Sequence, residues 1–148
     1  MKLSDYLKRE MVEIITAKTK WDAINQTLEL CRGDERVKDH ATLAVAIRER
    51  EKVMATGIGV GIGVPHIRHT TVTAPLAALT LLAEPVPYGS LDGIPVKVLL
   101  LIAMPDGAQQ DYLKYLAKAV NFFSKPAMRE TLFQCETVGE LWEAVRDR

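Results

Sequence analysis

The sequence predicts an α/β fold, a three-layer sandwich in which helices flank a mixed β-sheet. Two apolar runs, Pro75–Ala83 and Val96–Met104, are too short for ordinary helices and are bounded by proline and glycine, a pattern typical of buried strands. Before and after these runs, apolar residues recur at helical spacing. Because such strands are apolar on both faces, we expect helices to cover each side of the sheet.

The N-terminal third is expected to be mainly helical. A brief extended segment at 12–15 comes first. Thr19 then precedes a helix over Trp21–Cys31, in the position of a helix N-cap. A second helix is predicted over His40–Val53, with an apolar stripe that Arg50 shares.

The C-terminal part returns to helical spacing after a turn region. Glu84–Pro95 contains three prolines and two glycines and is expected to link the two apolar strands. Helices are then predicted over 113–123 and 126–133. Thr137 starts a closing helix through a capping box with Glu140. With no repeat or linker in the sequence, we predict one domain over residues 1–148.

Composition excludes several function classes. The 148 residues include 19 basic and 19 acidic side chains, so the chain lacks the positive excess of a nucleic-acid-binding protein. Its apolar runs are far shorter than the roughly 20 residues of a membrane-spanning helix. The charged N-terminus does not resemble a secretory signal, and the two cysteines have no metal-ligand spacing. We therefore expect a cytoplasmic protein that is not membrane-embedded and binds no nucleic acid.

Thr56–Arg68 is the segment with the strongest chemical pattern. Its four alternating glycines exclude helix and leave backbone N–H groups open to an anion. The spacing fits neither the dinucleotide fingerprint nor the nucleoside-triphosphate loop. A glycine-rich turn without a ligand is an equally good interpretation of the glycines alone.

His66 follows Pro65, which fixes the local backbone. Neither a carboxylate nor a cysteine lies beside it for a hydrolytic triad or zinc site. His69 is a possible second metal ligand, but Pro65 disfavours the helix that this spacing needs, so we predict no metal and no cofactor. Of the reactions open to a histidine, acceptance of a phosphoryl group is then left. It requires a histidine nitrogen and positive or N–H donors around the phosphoryl oxygens.

Arg50-Glu51-Lys52 followed by Ala55–His66 resembles the signature of the fructose/mannitol-type enzyme IIA domains of the bacterial phosphotransferase system. The similarity extends over nearly the whole chain and is nearest the nitrogen-regulatory enzyme IIA proteins. It implies a mixed sheet between helices. It also implies that His66 receives a phosphoryl group from HPr or the nitrogen-branch carrier NPr.

The same resemblance assigns roles around His66. Arg50 would neutralise the phosphoryl charge. Thr56 would either donate its hydroxyl to the phosphate or cap the turn. We interpret Arg68 and Lys52 as surface charges that meet an acidic face of a partner.

Two positions depart from the family pattern. Gly63 replaces the usual alanine. Tyr112 stands where the family commonly has a second histidine near the phosphorylated one, and a tyrosine can donate a hydrogen bond but carries no positive charge. Asp111 would repel a phosphoryl dianion if it faced the site.

The resemblance leaves two outcomes for the phosphoryl group: transfer to a sugar-specific IIB domain, or a switch that controls a transporter or kinase. A separate hypothesis, motivated by Tyr112, is a regulatory binding module that signals through protein contacts without phosphorylation. A third is a metal or small-molecule sensor that uses His66 and His69. The sequence points to no particular oligomeric state.

Overall fold

The computed structural model describes residues Met1–Arg148 and contains a six-stranded sheet with five helices packed around it. A 3₁₀ turn at Leu3–Asp5 precedes the first strand. The strands are β1 (Leu7–Ile15), β2 (Gly57–Gly59), β3 (Ile62–Gly63), β4 (His66–Arg68), β5 (Leu76–Val86) and β6 (Val96–Met104). The helices are α1 (Lys20–Glu29), α2 (His40–Val53), α3 (Gln109–Phe123), α4 (Pro126–Phe133) and α5 (Val138–Val145).

The sheet is mixed, which confirms the predicted fold class. Its order is β1-β5-β6-β3-β2, and β4 also pairs with β6. β1 runs parallel to β5, and β3 and β4 run parallel to β6. The β5–β6 and β2–β3 pairs are antiparallel.

β5 and β6 form the centre of the core. Every residue of β6 except Lys97 is buried, and Leu76–Leu82 of β5 is buried throughout. Because successive side chains of a strand point to opposite faces, both faces of the sheet must be covered. Helices provide this cover: α1 packs on β5 and β6, α4 on β6, and α5 on β1.

The prediction for the N-terminal third was wrong in one element. The extended segment runs over Leu7–Ile15 and not only 12–15. β1 lies at the edge of the sheet, and three consecutive charged residues, 8–10, are exposed on it. Charges on an edge strand oppose pairing with other chains, and they also hide the apolar pattern by which a strand is predicted.

The predicted helices of the chain are confirmed, with small shifts in their ends. α2 has the predicted bounds, and α1 begins after Thr19, whose hydroxyl accepts the Asp22 N–H at 3.1 Å. Thr137 caps α5 by accepting the Glu140 N–H at 3.1 Å, although the Glu140 carboxylate accepts the Thr137 hydroxyl and not its backbone N–H. None of the helices is both long and apolar enough to cross a membrane.

The glycine-rich segment lies along β6. β2 and β3 form a small hairpin, and Ile62 of β3 pairs with Val98. The chain then continues in the same direction, so that His66 of β4 pairs with Ile102 near the end of β6. The hydrogen bonds of β6 thereby fix the position of the backbone that carries His66.

Candidate functional site

His66 is held in one orientation by its own backbone neighbourhood. Its Nδ1 lies 2.6 Å from the carbonyl oxygen of Val64. A carbonyl oxygen can only accept a hydrogen bond, so Nδ1 carries the proton and donates. In the neutral ring, Nε2 is then the nitrogen that retains its lone pair.

The surroundings of His66 favour this neutral form. Burial lowers the pKa of the imidazole, and the positive charge of Arg50 lowers it further. The hydrogen bond to Val64 and the negative charge of Glu51 act in the opposite direction, but the net shift is downward. At neutral pH the ring is therefore an uncharged potential nucleophile.

Arg50 and His66 line the same cleft, which has a volume of about 280 Å³. Arg50 lies in the last turn of α2 and is exposed. The sequence had suggested that Arg50 shares the apolar stripe of the helix, but it lies outside the buried stripe. That stripe consists of Leu43, Ala44, Ile47 and Glu51.

Apolar side chains form most of the rest of this cleft. They come from the segment after α2 and from α3: Met54, Ala55, Ile58, Val64, Leu116 and Val120. A larger groove of about 610 Å³ lies between α4 and α5, but no histidine or basic side chain lines it. We take the smaller cleft as the candidate site because it brings Arg50 and His66 together.

Tyr112 lies beside His66, the place that the family resemblance implied for this position. The two ring centroids are 5.7 Å apart, and the planes are inclined at 50°. Burial raises the pKa of the Tyr112 hydroxyl, and this rise is only partly opposed by the positive charges of Arg50 and Arg68 and by the hydrogen-bonding interaction with Arg50. Asp111 is exposed. It is not among the charged side chains that shift the pKa of His66, which are Arg50 and Glu51.

Arg68 does not line this cleft but lies against Tyr112, whereas the sequence suggested an ordinary surface charge. Its guanidinium carbon lies 5.5 Å from the centroid of the Tyr112 ring. Its Nη1 donates a hydrogen bond of 2.9 Å to the carbonyl oxygen of Asp106. The side chain therefore bridges β4 and the loop that precedes α3.

Thr56 makes its hydrogen bonds within the protein. Its hydroxyl donates to Oε2 of Glu51 at 2.7 Å, and its backbone N–H donates to Oε1 at 2.8 Å. Of the two roles predicted for Thr56, these bonds favour closing the turn after α2 over donating to a phosphate.

Sequence reasoning missed the buried ion pair behind this turn. Nζ of Lys20 lies 3.1 Å from Oε1 of Glu51, and the two side chains are only 15% and 1% exposed. Lys20 also donates to the Tyr88 carbonyl oxygen at 3.3 Å and lies over the Tyr88 ring. The spacing could have indicated that Glu51 is buried, because it follows Ile47 by four residues and so falls on the buried stripe of α2.

Two backbone N–H groups of the glycine segment are not open to an anion. Gly59, Val60 and Gly61 all have positive φ angles and make a tight turn. The Val60 N–H donates to Oδ2 of Asp92 at 2.8 Å. Because carboxylates accept the N–H groups of both Thr56 and Val60, these two donors are occupied by the protein itself.

The two histidines of the segment face different partners. Nδ1 of His69 accepts the Thr71 N–H at 3.0 Å, whereas Nδ1 of His66 donates to Val64. No group of three or more His, Cys, Asp or Glu side chains comes together in a way that could hold a metal ion.

Comparisons with known proteins give a consistent result. The sequence model of the family described as phosphoenolpyruvate-dependent sugar phosphotransferase system, EIIA 2, matches residues 5–147. The chain is 31% identical over 84 residues to the nitrogen regulatory protein of Pseudomonas aeruginosa, a match covering 57% of this chain and 54% of that protein. This match thus spans only about half the length of that relative.

Two further relatives cover more of their own length. Identity to the fructose-specific EIIA component of Haloferax volcanii is 33% over 119 residues, or 80% of this chain and 77% of that protein. The crystal structure of nitrogen regulatory protein IIA-Ntr from Neisseria meningitidis superposes with a TM-score of 0.88. It is 26% identical, and the alignment covers 97% of this chain and 98% of that one.

Proposed function

The chain belongs to the EIIA 2 family of the phosphoenolpyruvate-dependent sugar phosphotransferase system, and from this membership we propose that it carries a phosphoryl group on Nε2 of His66. The donor is a phosphohistidine of an HPr-like or NPr-like carrier protein in the cytoplasm. Arg50 binds the transferred group from the end of α2.

One observation supports the site assignment above all others. The hydrogen bond from Nδ1 of His66 to Val64 leaves the lone pair on Nε2. The lowered pKa keeps that nitrogen unprotonated at neutral pH, and a nucleophile must be unprotonated to attack phosphorus.

The exchange of bonds uses only the imidazole of His66 from this chain. The Nε2 lone pair forms a bond to phosphorus as the nitrogen–phosphorus bond of the donor breaks, and the bonding electrons return to the donor imidazole. Nδ1 keeps its proton throughout. Arg50 offsets charge on the phosphoryl oxygens, which is the main contribution that proteins make to phosphoryl transfer.

For the use of the phosphoryl group we favour regulation. The similarity to two nitrogen regulatory proteins supports a switch, in which the phosphorylated and unphosphorylated forms differ in their contacts with a transporter or kinase. Transfer to a IIB domain is the alternative within the same chemistry, and the fructose-specific relative supports it.

The assignment is tested by incubating the protein with phosphoenolpyruvate, enzyme I and HPr, and measuring the intact mass. We expect one acid-labile, alkali-stable phosphoryl group on the wild type and on His69→Ala, and none on His66→Ala. The matched control is apt because His69 lies in the same segment but outside the cleft. Equal labelling of His66→Ala would contradict the assigned site.

A second candidate function rests on Tyr112. Its uncharged ring lies next to His66, an arrangement that also suits a binding module that has lost phosphoryl transfer. In that case no carrier would phosphorylate the chain. His66→Ala would then bind the regulated partner as tightly as the wild type does.

A further inference from the structure

Arg68 is placed to act on the same group as His66. The two residues are separated by one position in β4, so their side chains leave the strand on the same face. Tyr112 contacts both: its ring lies against the imidazole and under the guanidinium. One aromatic ring therefore ties the position of Arg68 to that of His66.

The contacts of Arg68 leave most of its donors available. A guanidinium has five N–H donors in a rigid plane, and the hydrogen bond to Asp106 uses one of them. The position of the guanidinium over the Tyr112 ring uses none of these donors. A planar guanidinium is well suited to bind two oxygens of a phosphoryl group.

The charge of a phosphohistidine also calls for a second cation. A phosphoryl group brings up to two negative charges, and Arg50 supplies one positive charge in the cleft. Tyr112 supplies none, since a phenol is either neutral or negatively charged. Arg68 on β4 is a second basic side chain beside Tyr112, in addition to Arg50 on α2.

We infer that Arg68, held against the ring of Tyr112, is the second cationic group that binds the phosphoryl group on His66. Tyr112 is a positioning residue that acts through Arg68 by means of its ring and not its hydroxyl. This inference rests on the proposed function and names a further residue of the same site.

The initial rate of phosphoryl uptake from HPr tests both parts. Arg68→Ala should lower the rate on the order of a hundredfold, as expected for removal of one donor to a phosphoryl-like anion. Arg68→Lys keeps the charge without the planar guanidinium, so its rate should be intermediate. Lys114→Ala, which removes a positive charge from an exposed position of α3, should react at the wild-type rate.

Variants of Tyr112 separate the ring from the hydroxyl. Tyr112→Phe should react at nearly the wild-type rate, whereas Tyr112→Ala should be slow. The double variant Arg68→Ala/Tyr112→Ala should be no slower than Arg68→Ala alone, because the tyrosine acts only through the arginine. Thermal unfolding of each variant identifies any loss of fold.

Three results would overturn the inference. They are a wild-type rate for folded Arg68→Ala, a Tyr112→Phe variant as slow as Tyr112→Ala, and a double variant much slower than Arg68→Ala.

A second probe separates this inference from the proposed function. Inorganic phosphate is titrated into the protein while the ring signals of His66 are followed by NMR. We expect Arg68→Ala to weaken phosphate binding and Lys114→Ala to leave it unchanged. If HPr does not phosphorylate the wild type but phosphate binding still depends on Arg68, the proposed function fails, while Arg68 stands as a residue that binds a phosphate beside His66. If phosphate binds equally to Arg68→Ala, the inference fails.

Discussion

The rings of His66 and Tyr112 lie 5.7 Å apart at an angle of 50°, although 45 positions separate them in the sequence. β4 brings one residue to this place and the first turn of α3 brings the other. The contact covers part of the imidazole without adding charge. It leaves the neutralisation of a bound anion to the nearby arginines.

Arg50 should control the protonation of His66. Its positive charge lowers the pKa of the imidazole, so Arg50→Ala should raise that pKa, as measured by NMR titration of the ring. Arg48→Ala is the matched control, since Arg48 lies on the same helix and hydrogen-bonds to Asn25. An unchanged pKa of His66 in Arg50→Ala would show that the two side chains do not interact.

Protonation of His66 should make stability depend on pH. The folded-state pKa lies below the unfolded value of about 6.5. Between these two values the unfolded chain binds more protons, so the free energy of unfolding rises with pH across this window. In urea unfolding at several pH values, the free energy of unfolding should rise less steeply with pH in His66→Gln than in the wild type. A slope that is the same in both proteins would contradict the lowered pKa.

The Lys20–Glu51 pair should be important for stability. Glu51→Gln leaves the Lys20 ammonium without its buried partner and should lower the free energy of unfolding by about 3 kcal/mol. Glu49→Gln removes a carboxylate from the same helix, where it pairs with Lys52 at the exposed surface, and should cost less than about 1 kcal/mol. Equal losses for the two variants, measured by denaturant unfolding, would refute the buried role.

Gly63 should not tolerate the alanine that is usual in the family. A Cβ atom there would lie 2.7 Å from Cδ2 of Leu99 and 3.0 Å from Cζ of Tyr88. Gly63→Ala should therefore lower stability by about 1–3 kcal/mol through overpacking. Gly107→Ala, where no atom lies within 4 Å of the added Cβ, should change the melting temperature much less. A Gly63→Ala protein as stable as Gly107→Ala would contradict the packing seen here.

Much of the fold could be predicted from the sequence, because its signals are local. The bounds of α2 and β6 follow from apolar spacing and from the prolines and glycines around the strands. β1 was only partly predicted, since an edge strand carries charges that interrupt the apolar pattern. Its pairing with β5 is a long-range contact that spacing alone does not reveal.

The candidate site could be predicted only in part, because some of its contacts join residues from different elements. Arg50, His66 and Tyr112 stand at recognisable positions of a family pattern, and the fold brings them together. The position of Arg68 depends on a ring from another element, and the partner of Glu51 lies on α1. Such contacts arise from tertiary packing, so a one-dimensional pattern gave Arg68 the appearance of a surface charge.

The most direct test of the account is NMR of the phosphorylated protein with ¹⁵N-labelled histidine. We expect phosphorylation by the HPr system to change the ring of one histidine, His66, with phosphorus bonded to Nε2 and the proton still on Nδ1. Phosphorus on Nδ1 of His66, or on His40 or His69, would contradict it, as would a wild-type protein that remains unphosphorylated while a control IIA protein in the same mixture is labelled.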